Sequence, residues 1–487
     1  MVAIFHHSMK HPAPLSPHIK AMDKKKVSLS SPLLWLLIAT SFGFVVVQLD
    51  VTIVNVALPQ IGSRLHAGVA GLQWIVDAYT LSFAALLISA GVIADKLGSR
   101  RVYLAGFFIF TAASVVCGLA PNIGVLIAAR ALQGSSAALL VPSSLAILNR
   151  TAENDSSLRA RMVGFWTAAG GVSIAAGPVA GGLLLASFGW RSIFLVNILL
   201  CGVAIFLVFR FVPLDFAASG AKQLDFPGQL LAILALTGLI GAVIEGGRLG
   251  PRNTVVIAGA ILGTISAAIF LYIESRVSSP MLPLHFFRDR CFSASVNFGV
   301  LVNLTYYGVI FVLSLYLQQA RGYSALKTGV AFLPLTATFI VSNAISGWLT
   351  ARAGSRLPMV LGALVAMLGY VLLLRLDAAT SMLSMMGAFV LIPGGMGLAV
   401  PAMTTAILSS VPHERSGTAS AVLNTARQAG GAIGVAVFGA LLGQTHEKII
   451  PGLHVAGWIS TALLTTAAVL AWLGLRKKPV QEFLPAQ

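Results

Sequence analysis

The chain has 487 residues, of which 57% are hydrophobic and only 10% are charged, and its mean hydropathy is +0.89. Soluble domains carry about 25% charged residues, so this composition excludes a soluble globular protein and indicates a polytopic membrane protein. The formal net charge of +17 does not indicate a nucleic-acid partner, because no soluble-sized segment is present to offer a basic face.

The first 32 residues are polar, and lysines cluster before the first apolar run, which predicts a disordered cytoplasmic tail. Met1, Met9 and Met22 are all possible starts. The apolar run that follows is too long for a cleaved signal peptide and lacks a small-residue cleavage site. The three cysteines lie in or beside apolar runs without metal-ligand spacing, so we expect neither a disulfide framework nor a metal or other cofactor.

Apolar runs of about 20 residues then recur along the chain, separated by glycine, proline and charged residues. They predict an all-α polytopic membrane protein with fourteen transmembrane helices. The predicted helices cover residues 33–61, 72–94, 102–120, 123–148, 163–187, 191–213, 226–247, 254–274, 292–317, 326–350, 357–376, 382–410, 418–443 and 455–475.

An even number of spans places both termini on the same side of the membrane. If that side is the cytoplasm, most lysines and arginines fall in cytoplasmic tails and loops, as the positive-inside rule requires. We therefore expect a multi-pass protein of the cytoplasmic membrane with both termini in the cytoplasm.

A weak internal repeat indicates two related halves. The stretch GVIADKLGSRR at 91–101 recurs as GWLTARAGSRL at 347–357, and Pro142 has a counterpart in Pro401 at a similar offset. Parallel halves are typical of alternating-access transporters, whose substrate site lies between the halves near the midplane. The expected regions are a tail at 1–32, a six-helix bundle at 33–213, two inserted helices at 226–274, a second six-helix bundle at 292–475 and a tail at 476–487.

Four charged residues lie inside predicted helices, namely Asp50, Asp77, Arg130 and Arg427. If all four faced lipid, the cost would be on the order of 10 kcal/mol, so they must pair or share water. One interpretation is that Arg130 neutralises Asp50 or Asp77 as a structural contact. The other is that a desolvated carboxylate, above all Asp50, takes up a proton on one side and releases it on the other. Asp77 is a candidate proton site or a counter-ion for a cationic cargo.

Aromatic and amide side chains near these charges are candidate cargo ligands. Trp74, Tyr79 and Trp166 could stack on a flat or cationic molecule. The alternative, which we favour, is that they are interfacial anchors near helix ends. Gln133 follows Arg130 by about one helical turn and completes the candidate cargo-binding set with Asp50, Asp77, Trp74 and Tyr79.

Two glycine-containing stretches are candidate gating elements. In the loop at 91–101, Gly91 would allow close helix approach, Gly98 would form a tight turn, and Asp95 would act as a latch at the cytoplasmic end. Arg101 in the same loop is a further gating candidate, although it could be a positive-inside charge only.

The second candidate gating stretch lies in the fifth predicted helix. It combines Gly177, Pro178, Gly181 and Gly182. Small residues at this spacing form a close packing seam, and the proline removes a backbone hydrogen bond. Ordinary tight packing would give the same pattern, but a proline among so many glycines suits a helix that flexes or seals against the other half.

These motifs together resemble the major facilitator superfamily, and specifically its fourteen-helix drug:proton antiporter branch. The resemblance rests on LDVTIVNVALP at 49–59, GVIADKLGSRR at 91–101, RALQG at 130–134, GPVAGG at 177–182 and SGTASAVLNTARQAGGAIG at 416–434. It implies that Asp50 couples proton movement together with Arg130, that Asp95 helps to lock the cytoplasmic gate, and that the fifth helix limits leak. It also implies a cargo of lipophilic, often cationic compounds, and Asp77 occurs in members that favour multivalent cations.

We therefore expect a proton-driven antiporter that exports hydrophobic or cationic small molecules, such as drugs, quaternary ammonium compounds and dyes. Its expected partners are the lipid bilayer, protons and the cargo, with no nucleic acid, and we expect it to act as a monomer. The nearest alternative is a transporter of the same fold for a siderophore, an amino acid or a lipid. A multi-pass membrane enzyme is disfavoured because the helices offer no nucleophile, metal ligands or paired acids near an interface.

Overall fold

The computed structural model describes residues 31–153, 155–214, 225–277, 280–412, 415–443 and 446–475, and within these ranges the regular structure is helical, without strands. The predicted tails at 1–32 and 476–487 lie outside the described residues, except where the first helix begins. The helices are α1 Ser31–Leu65, α2 Val69–Leu97, α3 Ser99–Leu119, α4 Ile123–Thr151, α5 Ser156–Phe188, α6 Ser192–Phe211, α7 Phe226–Leu249, α8 Thr254–Glu274, α9 Arg290–Leu315, α10 Ala325–Ala331, α11 Leu333–Ala353, α12 Arg356–Leu373, α13 Met382–Ser409, α14 Ser416–Leu441 and α15 Ile449–Gly474.

Thirteen of the described helical segments are long and apolar enough to cross a membrane, with α10 and α11 counted together as Ala325–Ala353. The fourteenth long helix, α14, is less apolar because polar residues such as Asn424, Arg427 and Gln428 stand among its small residues. The all-α, polytopic fold class predicted from the sequence is confirmed.

One predicted span is divided in two. The sequence predicts a single helix over 326–350, whereas the structure separates α10 from α11 at Phe332. Pro334 follows in the first turn of α11. Because proline has no backbone N–H to donate to the preceding turn, a helix is readily interrupted just before it. The span therefore consists of a short segment and a long one.

Helices α7 and α8 form an inserted pair between the first half, α1–α6, and the second half, α9–α15. The pair packs closely, since a Cβ on Gly238 would lie 2.9 Å from the Gly259 carbonyl oxygen. Gln229 on α7 donates a hydrogen bond of 2.8 Å to the Ala85 carbonyl on α2. Only 17% of the most apolar window of each inserted helix is buried in the protein, so most of their surface is left for lipid.

The two halves meet at one end of the bundle. We call the end where α1 begins and α15 ends the near end, and the opposite end the far end. At the far end, Ser314 on α9 donates to the Asn55 carbonyl on α1 at 2.5 Å. Gln73 on α2 donates to the carbonyls of Val435 and Ala436 on α14 at 2.9 and 2.7 Å.

A weaker bond at mid-height joins the same two helices, as Thr425 on α14 donates to the Ala84 carbonyl on α2 at 3.4 Å. The described side-chain hydrogen bonds between the halves all lie at the far end or at mid-height. The structure thus shows the conformation in which the far end is closed.

Close backbone packing inside the first half provides a stability test. A Cβ on Gly134 of α4 would overlap the Tyr79 carbonyl oxygen of α2, whereas a Cβ on Gly164 of α5 would meet nothing within 4 Å. We expect Gly134→Ala to destabilise the protein by about 1–3 kcal/mol, the usual cost of overpacking. Gly164→Ala is the matched control, and it should be neutral or slightly stabilising because alanine favours helix over glycine.

The measurement is thermal unfolding of the purified protein in detergent. A melting temperature for Gly134→Ala at or above that of Gly164→Ala would contradict the close approach of α2 and α4.

Candidate functional site

A buried ion pair connects α1 to α4. Asp50 lies just past the midpoint of α1, and one oxygen of its carboxylate accepts a hydrogen bond from a terminal nitrogen of the Arg130 guanidinium. Both residues are essentially inaccessible to solvent, with relative exposures of 0% and 1%. A charge pair in such a place stays favourable only when its remaining donors and acceptors are also satisfied.

Surrounding polar groups form hydrogen bonds with most of the remaining donors and acceptors of the pair. Arg130 donates from Nε to the Ile75 carbonyl at 3.1 Å and from a terminal nitrogen to Gln133 Oε1 at 2.9 Å. Asn197 on α6 donates to the other Asp50 oxygen at 3.1 Å. The Arg130 guanidinium also lies over the Tyr79 ring, 4.3 Å from its centroid. The pair is therefore held by groups from α1, α2, α4 and α6.

Gln133 serves this network. Its amide donates to Ser114 Oγ on α3 at 2.8 Å, and its carbonyl accepts from Arg130. Tyr79 is only 1% exposed. Trp166 is also buried and stacks on Phe44 with a centroid separation of 3.9 Å. The interpretation of Tyr79 and Trp166 as interfacial anchors is therefore wrong, because both rings are buried inside the bundle.

Asp77 is placed differently from Asp50. It is fully buried in α2, and neither of its carboxylate oxygens has a hydrogen-bond partner among the described residues. An ionised carboxylate buried in this way is costly. Asp77 lies one helical turn after Gln73, whose side chain bonds to α14, so it sits near the α2–α14 contact between the halves.

The side chain of Trp74 contacts α7 of the inserted pair. Its indole N–H donates to Glu245 of α7 at 3.0 Å, and a Cβ on Gly241 would lie 3.1 Å from its ring. Glu245 also pairs with Arg248 on the same helix at 2.5 Å. Trp74 thus fastens α7 to the first half.

A cavity lies between the halves at mid-height, with about 840 Å³ of space between its lining atoms and its mouth. Helices α1, α5, α9, α10–α11, α13 and α14 contribute to its walls. The described lining residues are Gln48, Val51, Thr52, Asn55, Ile174, Pro178, Asn303, Tyr306, Tyr307, Ile310, Phe332, Leu335, Thr336, Phe339, Met396, Val400 and Arg427.

The predicted cargo ligands Asp50, Asp77, Trp74, Tyr79 and Gln133 do not line this cavity in the far-end-closed structure. Asp50 faces away from it, because the neighbouring residues Val51 and Thr52 occupy the cavity side of α1. The assignment of these five residues to cargo binding stays a prediction. The structure brings three of them, Asp50, Tyr79 and Gln133, together around Arg130.

The glycine seam of α5 has two faces. On one face, a Cβ on Gly177 would overlap the Thr52 hydroxyl, and one on Gly181 would lie 2.9 Å from the Ile53 side chain of α1. On the other face, a Cβ on Gly182 would lie 2.8 Å from Leu326 Cα of α10. The seam therefore contacts both the turn of α1 that follows Asp50 and the second half.

Pro178 stands between these two faces. It lines the cavity, and its ring lacks the N–H that would otherwise bond to the Ile174 carbonyl. Its own carbonyl lies against Gly329 of α10, where a Cβ would clash with it. The close packing predicted for this stretch is present, and its role as a gate stays a prediction.

The predicted latch loop is at the near end. Gly98 adopts φ 90° between α2 and α3, which confirms the tight turn predicted there. Asp95 and Arg101 are exposed, and the structure describes no hydrogen-bond or ion-pair partner for Asp95. A Cβ on Gly91 would meet nothing within 4 Å, so no close helix approach is present there. A latch role for this loop would belong to a conformation in which the near end is closed.

Several residues that build the site were not among the sequence candidates. Asn197 interrupts the otherwise apolar helix α6, and a lone amide in such a helix is a usable signal of an interior polar contact. Ser114, Gln73 and Ser314 gave no comparable signal, since single polar residues of this kind occur in most of the helices.

Three comparisons place these observations among known proteins. The family model described as Major Facilitator Superfamily matches residues 40–435. The multidrug resistance protein Stp of Mycobacterium tuberculosis is 36% identical over 88% of this chain and 76% of its own. The methylenomycin A resistance protein of Bacillus subtilis is 34% identical over 92% of this chain and 96% of its own. A crystal structure of a point mutant of the nucleoside transporter NupG, at 10% identity, has a TM-score of 0.66 and covers 91% of this chain and 99% of that one, which shows a shared fold.

The contact between α5 and α10 yields a test of far-end closure. We expect Gly182→Ala to open the far end, because its Cβ would lie 2.8–2.9 Å from backbone atoms of Leu326 and Ala325 that cannot easily move. Gly171→Ala on the same helix is the matched control, since its Cβ would meet nothing within 4 Å.

The opening can be measured with spin labels at Ser63 and Ala378, which are exposed at the far end on opposite halves, in a background without the native cysteines. Gly182→Ala should raise the population with a longer label separation. Identical distance distributions for Gly182→Ala and Gly171→Ala would contradict the proposed contact.

Proposed function

The chain belongs to the major facilitator superfamily, and from this we propose that it is a proton-driven antiporter that exports apolar small molecules by alternating access. It is a multi-pass membrane protein and a transporter rather than an enzyme. What we propose beyond this is proton coupling, the direction of export and the class of cargo.

The observation that carries the proposal is the position of the Asp50–Arg130 pair directly behind the cavity wall. Asp50 is followed at once by Val51 and Thr52, which line the cavity. A change in the contacts of Asp50 therefore acts on a turn of α1 whose opposite face lines the cavity, where cargo would bind. This arrangement is what a coupling site needs: two ligands, proton and cargo, that bias the same structural element.

We propose that protonation of Asp50 releases Arg130 from its carboxylate partner and weakens the contacts among α1, α4 and α6. Losing one partner of a buried ion pair is strongly unfavourable, on the order of 3–5 kcal/mol, unless the surroundings rearrange. A cost of this size is enough to shift a two-state equilibrium between far-end-closed and far-end-open forms. The glycine seam of α5 is in contact with both α1 and α10 and offers a direct route for that shift.

The lining of the cavity supports an apolar cargo. Most of its walls are aliphatic or aromatic, and amide, hydroxyl and guanidinium groups are few. The relatives named above carry drug or antibiotic resistance in their names, which supports the export of such compounds. A cationic cargo would need a carboxylate at the cavity, and Asp77 would have to supply it in another conformation.

We place the protein in the cytoplasmic membrane with the near end facing the cytoplasm, on the distribution of lysine and arginine along the chain. The structure then corresponds to the form that is closed to the outside. Asp95 would engage only when the near end closes, which agrees with its exposure in the far-end-closed form.

Asp50→Asn tests the coupling. We expect it to abolish uphill, proton-driven efflux, since the amide cannot carry the proton, while the near-identical shape keeps the protein folded. The assay uses proteoliposomes with an imposed proton gradient and a fluorescent apolar cargo, and it compares uphill accumulation with downhill exchange. Downhill exchange should persist, because it requires the conformational change but not the proton.

Asp377→Asn is the matched control, as this carboxylate lies in the exposed loop between α12 and α13 and accepts hydrogen bonds that an amide oxygen can also accept. Undiminished uphill export by Asp50→Asn, or an equal loss in Asp377→Asn, would remove Asp50 from the coupling step.

A further inference from the structure

Arg427 is the one charged side chain among the described residues that line the cavity. Its Nε is buried and has no hydrogen-bond partner in the described part of the chain. One terminal nitrogen makes only a long contact of 3.5 Å to the Asn424 amide oxygen. No described carboxylate forms an ion pair with it, in contrast to Arg130. The protein therefore places an uncompensated cation in the wall of its central cavity.

The packing of α14 fixes this cation in place. Glycines bring α14 against α9, where a Cβ on Gly430 would lie 2.5 Å from the Val300 carbonyl and one on Gly434 would overlap the Leu304 carbonyl. The aliphatic stem of Arg427 passes over Gly299, whose Cβ would be 3.3 Å from Arg427 Cγ. The guanidinium is thus held against α9 at mid-height and does not reach an end of the bundle.

Other polar groups of the cavity stand beside it. Tyr306 and Tyr307 project from α9, with their rings 5.6 Å apart and nearly perpendicular. Asn303 lines the same wall and uses its amide N–H to bond the Gly299 carbonyl at 2.7 Å. The remaining walls are apolar, with Tyr306 stacked on Phe339 at a centroid distance of 6.4 Å.

Arginine stays ionised in proteins, and its planar fork of N–H donors matches the two oxygens of a carboxylate, as it does those of a phosphate. In a largely apolar cavity the attraction between opposite charges is strengthened, and so is the repulsion between like charges. A cargo that brings its own negative charge satisfies Arg427, whereas a cationic cargo leaves it unpaired and adds repulsion.

We propose that the cavity recognises amphiphilic organic anions, that is, an apolar ring system bearing one carboxylate that pairs with Arg427. The inference rests on the proposed export function and narrows its cargo class. It differs from the cationic cargo implied by the sequence resemblance, because the far-end-closed cavity presents a guanidinium and no carboxylate among its described lining residues.

Three probes with one ring system test the proposal: pyrenebutanoate, its neutral methyl ester, and pyrenebutyl-trimethylammonium. Binding to the purified full-length protein in detergent is measured by fluorescence without a proton gradient. We expect pyrenebutanoate to bind at least about tenfold more tightly than the ammonium probe, the ratio expected for a charge-assisted contact against a repulsive one.

Arg427→Gln should weaken pyrenebutanoate binding about tenfold or more and leave the ester within about twofold. Arg427→Lys keeps the charge but loses the fork, so it should retain part of the preference for the carboxylate. Arg248→Gln is the matched control, because this half-exposed arginine on α7 pairs with Glu245 away from the cavity, and all three affinities should be unchanged.

Tighter binding of the ammonium probe to the wild type, or an equal loss of ester and carboxylate binding in Arg427→Gln, would overturn the proposal. If Arg427→Gln does not fold, the ranking of the three probes on the wild type and on Arg427→Lys still decides it.

Transport in proteoliposomes separates this proposal from the proposed function. Selective carboxylate binding without proton-driven transport of any probe would refute proton-driven export and leave the anion site standing. Proton-driven transport of the ammonium probe without carboxylate binding would refute the anion site alone.

Discussion

The ion pair between Asp50 and Arg130 is the constraint on which the first half of the protein depends. Two charges at mid-membrane depth are tolerable only if they meet each other and if their remaining hydrogen-bonding groups are satisfied. Groups from α2, α3, α4 and α6 meet that requirement. The network around this one ion pair therefore fixes the relative positions of most helices of the first half. The pair lies wholly within one half, so a change in its contacts would alter the packing of that half and would break no bond between the halves.

Helix α1 stands between the ion pair and the cavity, with the pair on one face and Thr52 on the other. The α5 seam packs on the same turn of α1 and reaches α10 across the boundary between the halves. The ion pair, the cavity and the far-end contact thus share a few turns of helix. The second half contributes the guanidinium of Arg427, which places a positive charge in the cavity wall.

The sequence predicted the membrane fold because length and apolarity decide which segments can span a bilayer. Of the four buried charges that it expected to pair or to share water, Asp50 and Arg130 form an ion pair, whereas Asp77 and Arg427 have no ion-pair partner among the described residues. It also predicted the glycine turn at Gly98. It left open whether Arg130 pairs with Asp50 or with Asp77, since neither helix period nor spacing says which faces of α1 and α2 meet α4. A site between the halves near the midplane was expected, but most of its lining was not predicted, because most of the contributing helices supply only one turn or a few residues that look like ordinary lipid-facing or packing positions. The interruption at Phe332 lies next to a proline, but prolines at 142, 178 and 401 leave their helices continuous.

The two-faced glycine seam has a consequence for how the transport defects of variants of this protein would be interpreted. In a screen of transport activity, a side chain gained at position 177, 181 or 182 would reduce the transport of every cargo at once. Yet none of these three positions lines the cavity, and only their neighbour Pro178 does. Such a uniform phenotype would normally be assigned to a damaged binding site. At this seam it would instead report that α5 no longer packs against α1 or against α10, so a map of cargo contacts drawn from such data alone would include residues that no cargo touches.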